Sequence, residues 1–173
     1  MKAVDNVIID IGEYKQKILS ILFNSETIVA GIDSQQPTID VDEDGVDPDS
    51  PDTLVYNNLF PYLRIPETEN EADTYILVAV DIININKTNP TYANYLITFW
   101  IMSHQKKMRM KGQNCTRIDY LSKEVKKLFD GNLEFGFNKL ELISNKEVIL
   151  NEKYQYRELR FVCSDQRHPV TNT

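Results

Sequence analysis

Two long runs of Ile, Val and aromatic residues, Tyr75–Ile85 and Tyr92–Ser103, are joined by the polar stretch Lys87-Thr-Asn-Pro-Thr91. This pairing constrains the fold more than any other feature. A polar turn of that length between two β-rich runs predicts an antiparallel hairpin. The first run is nearly continuous at its start and alternates at its end, with Ile83 and Ile85 set against Asn84 and Asn86. A strand covered on both faces at one end, and on one face at the other, has that pattern. Near the end of the chain, Phe137–Leu150 and Tyr154–Ser164 predict a closing pair of strands. In the second of these, Leu159, Phe161 and Cys163 continue the register of Gln155 and Arg157 into a core.

Helical spacing occurs in two places. Residues 4–23 bring Val4, Val7, Ile8, Ile11, Ile18, Leu19 and Leu22 to one stripe. Ile118, Leu121, Val125 and Leu128 repeat at the same period in a helix expected over 116–130. There Thr116 and Asp119 stand at capping-box spacing, Lys126 and Lys127 suit the negative end, and Gly131 suits the position after it. Between the first helix and the hairpin lie the short apolar stretch Thr27–Ile32, the residues Leu54-Val-Tyr, and the extended segment Phe60-Pro-Tyr-Leu-Arg-Ile-Pro66. An acidic turn, Glu67–Asp73, completes this part. Pro61 and Pro66 suit a sheet edge or a bend. The expected class is α+β, an antiparallel sheet of about four to five strands with two helices packed on one face. One domain is expected over 1–165, with an insertion at 33–52 and a polar tail at 166–173.

Charge is distributed unevenly. The chain of 173 residues carries 19 Lys and Arg against 26 Asp and Glu, a formal net charge of -7. Residues 1–52 hold three basic residues (Lys2, Lys15, Lys17) and twelve acidic ones, so they carry -9 and the remainder +2. An acidic total argues against a dedicated sequence-reading nucleic-acid binder, whose affinity comes largely from phosphate neutralisation. The segment Asp33–Asp52 holds eight of the twelve acidic residues of 1–52, no basic ones and three prolines, a composition that builds no core. Its opposite is the run Lys106, Lys107, Arg109, Lys111, interleaved with Met108 and Met110. One chain bearing an acidic arm and a basic arm has the means to join copies of itself head to tail, and such a contact makes a ring when it closes. The basic arm also suits DNA, a membrane or an acidic protein surface, or simple solvation.

Within the insertion, Asp40, Asp42 and Asp44 alternate before Gly45, as in the opening half of a calcium-binding loop. The closing half is missing: Pro51 stands where the bidentate Glu belongs, and Asp47 where an apolar residue belongs. A solvated acidic loop is the stronger reading and a calcium-tuned binding module the alternative. Asp81 with Glu124 and Lys126 offers a weaker third reading, a metal-dependent nuclease. Phosphate-loop, nucleophile-elbow and paired-histidine motifs are missing from the sequence, and His104 and His168 stand apart. We therefore expect no catalytic, metal or cofactor site. Cys115 and Cys163 read as buried free thiols, no signal peptide is expected, and the apolar runs fall far short of the ~20 residues that span a bilayer.

The order of elements resembles the tail-terminator, or tail-completion and neck, proteins of long-tailed bacteriophages. The resemblance rests on Phe60-Pro-Tyr-Leu-Arg-Ile-Pro66, on Thr74–Ile83 followed by Tyr95–His104, and on the Cys-Thr-Arg-Ile-Asp helix start, within about residues 1–165. It implies a non-enzymatic virion subunit assembled in the host cytoplasm. Such a subunit forms a ring, of hexameric type, that caps the tail tube and offers a surface to the head-completion or connector protein. Genomic DNA passes through the lumen without sequence-specific binding, and no membrane is involved. The interface residues expected from the two charged arms and the aromatic-proline segment are Lys106, Lys107, Arg109 and Lys111, the carboxylates Asp40, Asp42 and Asp44, and the aromatic pair Phe60 and Tyr62.

Overall fold

The structure, a computed structural model, describes residues 2–32, 54–66, 72–85, 92–136 and 138–166. In chain order the elements are α1 (Lys2–Phe23), α2 (Glu26–Ile32), β1 (Leu59–Phe60), β2 (Thr74–Ile85), β3 (Tyr92–His104), α3 (Arg117–Phe129), β4 (Glu141–Ile149) and β5 (Tyr154–Gln166). The expected hairpin is the centre of the sheet. β2 pairs antiparallel with β3 from Thr74↔Ser103 to Ile85↔Ala93, with a register break between Ile82 and Asn84. β5 lies on the other side of β3, paired along its whole length, and the strand order is β1-β2-β3-β5-β4.

Strand alternation divides the core in two. One set of side chains, including Ile76, Val78 and Val80 of β2, Tyr95, Ile97 and Phe99 of β3, and Leu159 and Phe161 of β5, packs with residues of all three helices. Ile18 and Leu22 of α1, Ile28 and Ile32 of α2, and Leu121, Val125 and Phe129 of α3 are fully buried there. The other sheet face carries a smaller aromatic cluster of Phe60, Tyr75, Leu77, Met102, Tyr154 and Tyr156. Burying each large apolar side chain contributes roughly 1.5–3 kcal/mol. An exposed ion pair such as Lys17–Glu134, 3.6 Å apart, adds about 1 kcal/mol at most. Apolar packing therefore dominates stability.

Three features differ from the expectations. The sheet is mixed, because β1 runs parallel to β2 with Leu59↔Ile76 and Phe60↔Leu77. A two-residue strand that donates few ladder bonds leaves no alternation to read. A third helix forms over Glu26–Ile32, where Ile28, Gly31 and Ile32 are buried at helical spacing, but seven residues are too few to show a period. The strand expected from Phe137 begins only at Glu141. Before it the chain turns through Gly131 and Gly136, at φ 82° and 106°, and buries Phe135 and Leu140. The α3 reading holds in detail: Thr116 caps the helix, its Oγ1 accepting from the Asp119 amide at 3.2 Å, and Gly131 follows the C-cap.

Candidate assembly surfaces

The basic arm is pinned to the domain at several points. β3 passes directly into a short 3-10 turn, Gln105–Lys107, capped by His104, whose Nδ1 accepts from the Lys106 amide at 3.1 Å. The next residues close on themselves through an antiparallel bridge between Arg109 and Thr116, and through the Arg117 amide donating to the Met108 carbonyl at 2.8 Å. Gly112, at φ 79°, makes the turn at the tip. Arg117 then fixes the arm from below. It is buried, and donates through Nε to the Lys107 carbonyl at 2.6 Å and through a terminal nitrogen to the Gly31 carbonyl at 2.5 Å.

This anchoring sorts the four expected cations. Lys106, Arg109 and Lys111 are exposed, while Lys107 is half-buried and reaches the Asp73 carboxylate at 3.3 Å. His104 is buried against Tyr154, edge to face at 5.0 Å. Burial, and then the charges of Lys106 and Lys153, hold its pKa below the ordinary value of 6.5. With Nδ1 accepting, it is a neutral structural residue of the core.

The aromatic-proline segment lies at the same end of the sheet. Phe60 is only 1% exposed and belongs to the smaller cluster, so its ring is part of the fold and does not offer a contact surface. Tyr62 meets Phe60 edge-on at 5.5 Å, and the Arg64 guanidinium lies over the Phe60 and Tyr75 rings at 4.6 and 5.6 Å. These contacts pull the segment down onto β1 and β2 and turn Tyr62, Leu63 and Ile65 outward, 46%, 40% and 66% exposed. A cleft at this end of the sheet is lined by Tyr56, Asn58, Arg64, Asp73 and Tyr75, and the Asp73 carboxylate also pairs with Lys107 of the basic arm.

Asp40, Asp42 and Asp44, with Gly45 and the rest of the insertion, lie outside the described residues, as do the acidic turn from 67 to 71 and the tail. The residues of the nuclease reading are not brought together. Asp81 is exposed on β2 between Val80 and Ile82, which face the helices, so its side chain is on the opposite face from α3. Glu124 pairs with Lys127 at 2.6 Å and Lys126 with Asp130 at 3.9 Å. Among the described residues no group of three His, Cys, Asp or Glu is placed to hold a metal ion, and no helix is long and apolar enough to cross a membrane. Cys163 is buried as expected, its thiol pushed up to about 12 by burial and the nearby Asp165 charge; Cys115 is exposed, since it precedes the α3 cap on a loop with no core beneath it.

Several polar contacts had no sequence signature beyond the pairing they depend on. Arg157 on β5 reaches Asp119 of α3 at 2.5 Å and Glu147 of β4 at 3.3 Å, joining the helix start to the sheet edge. On the opposite face Glu158 accepts from Trp100 Nε1 at 3.1 Å and pairs with Arg160 at 2.9 Å. Tyr14 of α1 stacks on Tyr95 at 5.1 Å and donates to the Asp165 carboxylate at the end of β5. Burial and that acceptor raise its pKa.

No curated protein gives a match to the chain. The sequence profile of the YomW family matches residues 15–163. That family's name is that of a prophage protein and points to a phage origin. The matched stretch runs from α1 to Cys163 on β5 and takes in the hairpin, the basic arm and the aromatic-proline segment; the chain belongs to the YomW family.

Proposed function

We propose that the chain is a structural subunit of a phage virion, a tail-terminator or neck protein, with no enzymatic role. Copies form a ring, of hexameric type, that caps the tail tube and presents a surface to the head-completion or connector protein, with the genome passing through its lumen. The reading rests chiefly on one observation. An aromatic-proline segment and a basic arm, each held by fixed contacts, present exposed apolar and cationic side chains at the same end of a sheet built on a long hairpin. Groups exposed in this way on a rigid scaffold suit docking to other subunits. The order of helix, insertion, edge strand, hairpin, helix and closing hairpin supports the same reading, as does membership of a family with a phage-derived name.

Tube protein from the same phage, polymerising alone and with this chain added, tests the proposal. Tubes of limited length with a cap at one end in electron micrographs are the expected result. Unchanged tube length and bare ends would refute the terminator role.

A further inference from the structure

His104 is the last residue of β3, and contacts that fix the root of the basic arm gather around it. Its imidazole caps the turn Gln105–Lys107, with Nδ1 accepting from the Lys106 amide at 3.1 Å. Its own amide donates to the Asp73 carbonyl at 3.0 Å, and its ring meets Tyr154 edge to face. The next residue, Gln105, donates from its amide to the Lys153 carbonyl at 2.9 Å and from its side chain to the Glu152 carbonyl at 2.6 Å. The end of β3, the approach to β2 and the turn between β4 and β5 therefore meet at one buried imidazole.

That ring fills its place only in the neutral form. An imidazolium carries a proton on both nitrogens, so Nδ1 would cease to accept and the Lys106 amide would lose its partner. It would also be a buried cation among charges of its own sign, Lys106 and Lys107 on the same turn and Lys153 from the β4–β5 turn. The Asp73 carboxylate, from the approach to β2, is engaged by Lys107 at 3.3 Å and by the Thr74 amide at 2.8 Å, and Glu152 reaches the site through its carbonyl. The arm's other ties, Arg117 to the Lys107 carbonyl and the Arg109–Thr116 bridge, do not involve the imidazole.

We infer that His104 makes the root of the basic arm an acid-sensitive hinge: protonation of its ring releases the Gln105–Lys107 turn, and the arm, still tethered by Arg117, presents Lys106, Arg109 and Lys111 in a new direction. This inference does not depend on the ring-subunit reading. Its sign follows from linkage. Once released, the imidazole titrates near its ordinary 6.5, whereas in the capped turn its pKa is lower, so acid favours release. With the capped ring neutral throughout, the ratio of released to capped turn rises about tenfold between pH 7.5 and 5.5.

Hydrogen exchange of the full chain, read by NMR and corrected for the intrinsic pH dependence of exchange, tests the hinge. Protection of the Lys106 amide, and of the Met108 amide that donates to the Gln105 carbonyl at 3.3 Å, is expected to fall roughly tenfold between those two pH values. The Asp130 amide, bonded to the Lys126 carbonyl at the far end of α3, is expected to keep its protection. In the His104→Asn variant the side-chain oxygen accepts from the Lys106 amide at both pH values, so protection there is expected to stay level. Protection at Lys106 that does not fall in the unmodified chain overturns the inference, as does an equal fall in the variant. A fall shared by the Asp130 amide shows unfolding of the whole domain and overturns it too. Should the variant fail to fold by circular dichroism, NMR titration of His104 in the unmodified chain decides. A midpoint below 6.5 at which the Lys106 and Met108 signals also move upholds the hinge. A midpoint at or above 6.5, or signals that ignore it, overturns the hinge.

Discussion

Arg117 occupies the first turn of α3, where the helix dipole disfavours a positive charge. Its position is explained by what its guanidinium holds: the carbonyl of Gly31 near the end of α2 and that of Lys107 in the basic arm. A cation there satisfies a carbonyl near the end of one helix while tethering a loop to it. Arg117→Leu leaves these buried acceptors unpaired, and a loss of about 2–4 kcal/mol in urea unfolding is expected, with Arg117→Lys falling between. The sequence carried a hint of this, a basic residue at the wrong end of a helix, but named no partner, because Gly31 lies 86 positions away. His104 makes a second prediction at this scale. Its pKa is lowered in the fold by burial and by Lys106 and Lys153, so the unfolded chain binds the proton more readily. Stability is then intact above about 6.5 and declines as the pH falls below it. His104→Asn keeps an acceptor for the Lys106 amide and does not titrate. Its unfolding midpoint should fall less between pH 7.5 and 5.5 than that of the unmodified chain, and an equal fall would exclude His104 as a source of the acid sensitivity.

Among the elements, legibility followed length and period. β2 and β3 declare themselves because long runs supply many alternations, and α3 because a cap, a stripe and a terminal glycine agree. α2 and β1 do not, since neither is long enough to show a period and both are held by tertiary contacts: α2 by packing on α1 and α3, β1 by parallel pairing to β2. The turn before β4 is a similar case. Gly136 has φ 106°, and a Cβ there would stand 2.6 Å from the Ser164 carbonyl of β5. Backbone gives way less easily than a side-chain end, so Gly136→Ala combines a left-handed conformation with a clash and is expected to cost more than about 1 kcal/mol. Thermal unfolding of that variant checks it, and an unchanged midpoint would show that the turn adopts another path.

At the scale of the whole molecule, a net charge of -7 conceals two differently charged parts. The described body carries the exposed cations Lys106, Arg109 and Lys111 at one end of the sheet, while the acidic insertion enters the chain between α2 and Leu54. The sequence showed the imbalance and named the basic arm; that the arm and the aromatic-proline segment share one end required the register of β2 with β3. Phe60 marks the limit of that reading. An aromatic beside a proline suggests a surface, but the parallel pairing with Leu77 turns it into core. On the proposed ring reading this chain assembles with itself through both exposed apolar side chains, such as Tyr62 and Ile65, and exposed cations of the basic arm. Exposed charge pairs are screened by salt whereas apolar contacts are not, so salt should weaken the assembly without abolishing it. Light scattering coupled to size exclusion, over a range of chain concentrations and at low and high salt, tests this most directly. A discrete oligomer of fixed mass that shifts toward monomer as salt rises is expected; a monomer at every concentration and salt would contradict self-assembly.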